Sequence, residues 1–89
     1  MHFEWDRSKA ESNRRKHKVG FDEAVSVFYD PLSATFPDPH SRYAEQRFIT
    51  VGHSSQERLL VVVHTEQGET IRIISARLAN AHERKRHET

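Results

Sequence analysis

Two apolar runs, residues 58–66 and 69–75, stand almost back to back with Gln67-Gly68 between them. Nothing else in the chain carries as much material for a core. The stretch from Leu59 to Val63 is an unbroken apolar run of strand length, far too short to span a membrane. Gln67-Gly68 suits a two-residue hairpin turn, because glycine accepts the positive φ that such turns require. An antiparallel sheet built on this hairpin is therefore the frame around which the other 89-residue-chain elements must pack.

The second run contains a conflict. Arg72 sits inside Ile71-Arg72-Ile73-Ile74, and Arg77 follows Ser75-Ala76. A guanidinium cannot shed its charge, so an arginine in an apolar strand needs an anion. An internal carboxylate and an external phosphate both satisfy that need. By alternation, Ile71, Ile73 and Ser75 share one face and Thr70, Arg72 and Ile74 the other, while Arg47 heads its run on the side of Ile49, Val51 and His53. Strand register decides whether Arg47, Arg72 and Arg77 meet on one surface, and register is not written in one sequence.

Around the hairpin the remaining elements follow from local chemistry. Phe3 and Trp5 alternate about Glu4, predicting a short first strand, and Asp6 is a good N-cap for a helix over 7–18, with Gly20 to end it. A second helix is predicted over 22–28, with Ala24, Val25 and Phe28 on one face, stopped by Asp30-Pro31. Strands are predicted over 32–36, 47–53, 58–66 and 69–75. The polar, proline-bearing segment 37–46 is a long loop expected to be mobile, and the chain is expected to be helical from Arg77 onward. The order β-α-α-β-β-β-β-α describes one α+β domain over residues 1–89, a small, mainly antiparallel sheet with helices over one face.

The first helix has little to bury. Its inward stripe is Ala10, Asn13 and His17, so two polar residues stand where a helix normally places leucine or valine. Either they hydrogen-bond backbone groups and anchor the helix, or they rim a cleft in which His17 acts as acid, base or phosphate donor.

The formal net charge of +1 conceals segregation: residues 7–18 carry +5, residues 19–71 carry −5, and residues 77–88 carry +2. Such local fields suit a polyanionic ligand or, more blandly, a solvated helix face. Seven histidines invite a metal, yet none form an i, i+4 helical pair and there is no cysteine, so neither metal nor cofactor is expected. Without cysteines, a basic leader or an apolar span, the chain reads as a soluble cytoplasmic protein with no membrane role.

The combination Phe3-Glu4-Trp5-Asp6, Asn13, Lys16-His17-Lys18-Val19-Gly20-Phe21, Ala24, Phe28-Tyr29-Asp30-Pro31, Arg47, Val51-Gly52-His53-Ser54, Arg72-Ile73-Ile74-Ser75-Ala76-Arg77 and Glu83-Arg84 resembles the BrnT family of bacterial toxins. The resemblance implies a ribonuclease toxin of a type II toxin–antitoxin pair with a RelE-like fold. It also implies a BrnA-like antitoxin partner, whose DNA-binding domain represses the operon. Two departures stand out: His87 takes a place where the family tail commonly has tyrosine, and Lys18 separates His17 from Val19-Gly20.

Metal-free RNA cleavage requires a group to take the 2′-hydroxyl proton, cations to hold the charge growing on phosphate, and an acid for the leaving 5′-oxygen. Arginine's fork matches phosphate, so Arg47, Arg72 and Arg77 are the candidate phosphate ligands and His17 the candidate for proton transfer, with Lys16 and Glu83 behind them. Glu83 has structural roles open to it as well, pairing with His87 one turn on or reaching back to Arg77. Arg14, Arg15, Lys18, Arg84 and Lys85 are candidate RNA contacts. The same arginines would also serve a non-catalytic module that binds a partner protein or a nucleic acid.

Overall fold

The computed structural model describes residues 1–41 and 45–88 and contains one five-stranded sheet, ordered β1-β5-β4-β3-β2. Its strands are β1 His2–Glu4, β2 Ala34–Pro37, β3 Phe48–His53, β4 Leu59–Gln67 and β5 Thr70–Leu78. Helices α1 Arg7–His17 and α2 Phe21–Ser26 follow β1, a single 3₁₀ turn spans Val27–Tyr29, and α3 Ala81–Glu88 follows β5. The predicted order holds, and the sheet is antiparallel apart from the β1–β5 pair.

Several predicted boundaries shift for identifiable reasons. Helix α1 ends one residue early because Lys18 itself adopts the left-handed conformation (φ 61°), while Gly20 is extended and caps α2. The second predicted helix splits at Val27, where hydrogen bonding tightens into the 3₁₀ turn. Strand β2 starts at Ala34 and not at 32, since the Asp30 carboxylate accepts from Leu32 N–H at 2.9 Å and its carbonyl from Ser33 N–H at 3.0 Å, folding both into a turn. The tight hairpin turn is Gly68-Glu69 between paired Gln67 and Thr70, one residue later than expected, with Gly68 at φ +59°.

The largest correction concerns residues 76–80. The chain does not turn helical at Arg77; Ala76, Arg77 and Leu78 still pair with β4. Helix α3 begins only after Asn80, whose Oδ1 accepts from Glu83 N–H at 2.8 Å while Glu83 Oε1 accepts from Asn80 N–H at 2.9 Å. That reciprocal capping box fixes the helix start. In the loop expected over 37–46, residues 42–44 lie outside the described residues, and the described flanks are tied down: Arg47 N–H donates to Ser41 Oγ at 2.8 Å and Asp38 N–H to the Arg47 carbonyl at 2.8 Å.

The core lies between the sheet and α1–α2. Val19, Phe21, Ala24 and Val27 pack against Leu60, Val62, Ile71, Ile73 and Ala76, with Phe3, Trp5 and Phe28 at the margins. Asn13 locks α1 down, donating to the carbonyls of Val19 (3.0 Å) and Ala76 (2.8 Å) and accepting from Ala76 N–H (3.1 Å). The anchoring role for Asn13 is thus the one observed.

The sequence predicts helices over one face, but the structure puts α3 beside the other. Leu59, Val61 and Ala79, with Ile49 and Val51, form a smaller cluster on the opposite side, and α3 flanks it. A β-bulge makes this second face what it is. Val63 pairs with Ser75 but His64 pairs with Ile73, so β5 carries one extra residue at Ile74. Simple alternation would send Arg72 and Arg77, five positions apart, to opposite faces. The extra residue restores them to the same one, turning Ser75 outward and burying Ala76. Among the described residues, no helix is long and apolar enough to cross a membrane.

Candidate functional site

The face away from α1 and α2 carries an open groove of about 530 Å³. Its floor is Ala34, Ile49, Val51 and Val61, side chains from neighbouring strands in register: Ala34 opposite Val51, Val51 opposite Val61, and Val61 opposite Arg77. Leu32 and Phe36 wall one side; Arg86 and His87 of α3, with Arg77 and Glu83, wall the other.

Arg77 is held with its fork fixed. Its Nη1 and Nη2 donate to the two Glu83 carboxylate oxygens, each at 2.8 Å, and Nη1 also reaches the Leu78 carbonyl at 3.3 Å. This settles the choice for Glu83 in favour of Arg77 over His87. The Arg77 hydrogen bonds, joined by the Asn80 N–H, hold the Glu83 carboxyl down at about 2, and the same pairing raises Arg77 further. Glu83 is therefore an anion that orients. Of the five guanidinium N–H groups, Nε–H and one on Nη2 are left for an outside acceptor.

Arg72 occupies the same face, roughly 15 Å further along β5 at strand spacing. Its Nη1 donates to Glu4 of β1 at 2.8 Å, and both partners are exposed enough for solvent to compete. Arg47 precedes β3 and, by continuing the pairing of Phe48 with His64, falls opposite Thr65, which pairs with Arg72. Its Nε donates to Glu45 at 3.0 Å. Each of the three arginines thus has an internal carboxylate.

Sequence reasoning missed a pair of histidines, one of which, His87, lines the groove. His53, the last residue of β3, lies with its ring centroid 5.9 Å from that of His87 on α3, the planes inclined at 60°. Asp30 orients His53: its Oδ2 accepts from His53 N–H at 2.7 Å and stands 3.7 Å from the ring Nδ1. Backbone hydrogen bonds from His53 and Leu32 hold the Asp30 carboxyl below its usual range. A signal was present, since His53 shares parity with Ile49 and Val51; what no single strand reveals is that α3 folds back to bring His87 beside it.

His17 was expected in the same cleft as the arginines, and the structure does not bring it there. It ends α1 on the helical side of the sheet and makes no hydrogen bond or ion pair with them among the described residues. Lys16, Arg14 and Arg15 are exposed on α1, where Arg14 and Arg15 join Arg7, Glu11 and Asp22 around a second groove of about 440 Å³. Lys18 closes the helix, donating from Nζ to the Arg15 carbonyl at 3.1 Å. Arg84 and Lys85 are exposed on α3.

Two other polar clusters on the helical side are structural. Buried Glu23 receives Arg58 through both guanidinium arms and the Ser54 hydroxyl at 2.6 Å, and the Arg58 bonds pull its carboxyl down. His64 is fully buried; its Nε2 and Thr50 Oγ1 share a 2.7 Å hydrogen bond, and burial pushes the imidazole down to about 4, so it stays neutral. Among the described residues, no group of three or more histidines, cysteines or acids is disposed to hold a metal ion.

Comparison with known proteins bears on this geometry. The family model described as "Ribonuclease toxin, BrnT, of type II toxin-antitoxin system" matches residues 5–83. The fold is similar to that of the crystal structure of the Brucella abortus ribonuclease toxin BrnT, with a TM-score of 0.70 at 23% identity, covering 90% of this chain and 97% of that one. No curated protein sequence matches.

Proposed function

Given that the chain belongs to the BrnT family of ribonuclease toxins of type II toxin–antitoxin systems, we propose that the open sheet face is where it binds and cuts RNA, without a metal ion. The observation that carries this reading is the bulge at Ile74, which turns Arg72 and Arg77 onto one surface beside the groove. Two guanidinium groups roughly 15 Å apart suit successive stretches of a single strand's backbone. Their carboxylate partners do not disqualify them. Exposed ion pairs contribute about 0–1 kcal/mol, so a phosphate can replace Glu4 at Arg72. At Arg77 the carboxylate remains and leaves two N–H groups for the substrate.

In this mechanism the ribose 2′-oxygen attacks the adjacent phosphorus and the 5′-oxygen leaves, giving a 2′,3′-cyclic phosphate and a 5′-hydroxyl. Arg77 holds the charge that builds on the nonbridging oxygens; Arg72, and Arg47 beyond Thr65, position the flanking chain. Arg14, Arg15 and Lys18 on α1 lie behind the sheet and serve at most as distal contacts, and Arg84 and Lys85 on α3 lie nearer the groove. Acting in the cytoplasm, the enzyme would inhibit translation and growth.

A BrnA-type antitoxin with a DNA-binding domain would neutralise it, its apolar residues seated on Ile49, Val51 and Val61 and its acids near Arg77 and Arg86. That apolar floor is also the observation in favour of a purely binding role. One experiment decides between them. Purified, antitoxin-free chain should convert total RNA to discrete fragments at an undiminished rate in EDTA. Activity lost to EDTA and restored by magnesium would overturn the metal-free route, and intact RNA would leave binding alone.

A further inference from the structure

We propose that His53 and His87 are the two proton-transfer groups of the cleavage reaction, one taking the proton from the 2′-hydroxyl as the 2′-oxygen–phosphorus bond forms, the other giving a proton to the 5′-oxygen as its bond to phosphorus breaks. The assignment rests on the ribonuclease reading of this face and deepens it. Three observations carry it. The rings are 5.9 Å apart and inclined at 60°, so they do not stack on one another and both can reach oxygens of a single phosphodiester. They come from different elements, β3 and α3, and His87 lines the groove together with Arg77 and Arg86. His53 is oriented by a carboxylate, Asp30, that is itself fixed by two backbone N–H groups.

Among the described residues, Asp30 from the turn before β2 stands against His53, and Arg77 from β5 with Glu83 and Arg86 from α3 line the groove beside His87. Glu83 is committed to Arg77 and to the helix cap, so it is not a competing proton carrier. The proton balance closes over one turnover: the imidazole that accepts ends protonated, the imidazolium that donates ends neutral, and exchange with water resets both. No further reactant is needed. His17 has none of these relations to Arg77.

The test combines kinetics with ligand titration. Wild-type chain should show a bell-shaped dependence of cleavage rate on pH, and His53→Gln and His87→Gln should each lose about 100-fold at the optimum and each erase one limb of the bell. Circular dichroism should show both variants folded. By NMR, the His53 and His87 ring resonances should move together when a non-cleavable 2′-deoxy oligonucleotide is added, and His17 should stay put. Variants that cleave within threefold of wild type with an unchanged pH profile would overturn the pair while leaving the ribonuclease reading intact. So would nucleotide-induced shifts at His17 alone. A wild-type chain that leaves RNA whole but binds it would remove the reading underneath.

Discussion

The two faces of the sheet use polar side chains in opposite ways. On the helical face, polar groups are buried and nearly all their bonds are made within the chain: Asn13 to Val19 and Ala76, Glu23 to Arg58 and Ser54, and His64 through Nε2 to Thr50, its Nδ1 alone among the buried side-chain polar atoms of the described residues having no hydrogen-bond partner. On the open face, Arg72, Arg77 and His53 stand at the edge of solvent, each beside a carboxylate, with His87 against His53. Burial without a partner is costly, so the first group is there for the fold. Orientation without full satisfaction is what the proposed ligand-binding role of the second group rests on.

The sharpest break of this contrast is Asn13→Leu. It strands two carbonyls and one N–H in the core and should cost about 3–4 kcal/mol, read as a lowered urea midpoint. A loss below 1 kcal/mol would mean that water reaches the site and that Asn13 is not a structural lock. Next comes acid. His64 titrates near 4 when folded and near its ordinary value of 6.5 when unfolded. The unfolded chain therefore takes up the proton first, and stability complete above about pH 6.5 declines by up to roughly 3 kcal/mol as pH falls towards 4. In His64→Leu, which leaves Thr50 its 2.7 Å bond to Thr35, that decline should flatten.

On the open face the balance between stability and activity should reverse. Arg77→Ala should cut RNA cleavage by about 100-fold while costing about 1 kcal/mol of stability, through the loosened start of α3. Unfolding in place of inactivation would make Arg77 part of the scaffold. Arg72→Ala should be mildest, with cleavage down about tenfold and the thermal transition within a degree or two, because its pair with Glu4 is exposed. If Arg72→Ala proves the more damaging of the two, the active end of the groove has been placed at the wrong end of β5.

The sequence made most of the architecture legible because periodicity and punctuation are local. The five strands, the Asp6 cap and the stop at Asp30-Pro31 all follow from residues within a turn of one another. What stayed hidden depends on pairing. The bulge at Ile74 is a relation between β4 and β5, and it alone decides where Arg72 points relative to Arg77. The run Ile71 to Ala79 ends in Arg77-Leu78-Ala79, which alternation does not distinguish from a helix start; the Asn80–Glu83 capping box three residues later was the local cue that marked the true boundary. His53 and His87 are 34 positions apart, and only the return of α3 makes them neighbours. His17 stood out because a histidine on an inward stripe is conspicuous, whereas Asn13, one turn earlier, carries the structural meaning of that stripe.

The parallel pairing of β1 with β5 sets a schedule for the molecule's own synthesis. His2 lies beside Thr70 and Glu4 beside Arg72, and among the described residues β1 has no other neighbour in the sheet. Asn13 in turn waits for Ala76, 63 positions later. A growing chain on the ribosome cannot complete its first strand or seat its first helix until β5 has emerged, because the contacts that repay ordering them are nearly a whole chain away. Arg72 and Arg77 arrive on that same strand. On the proposed reading, the surface that carries Arg72 and Arg77 cannot form until β5 has emerged and paired.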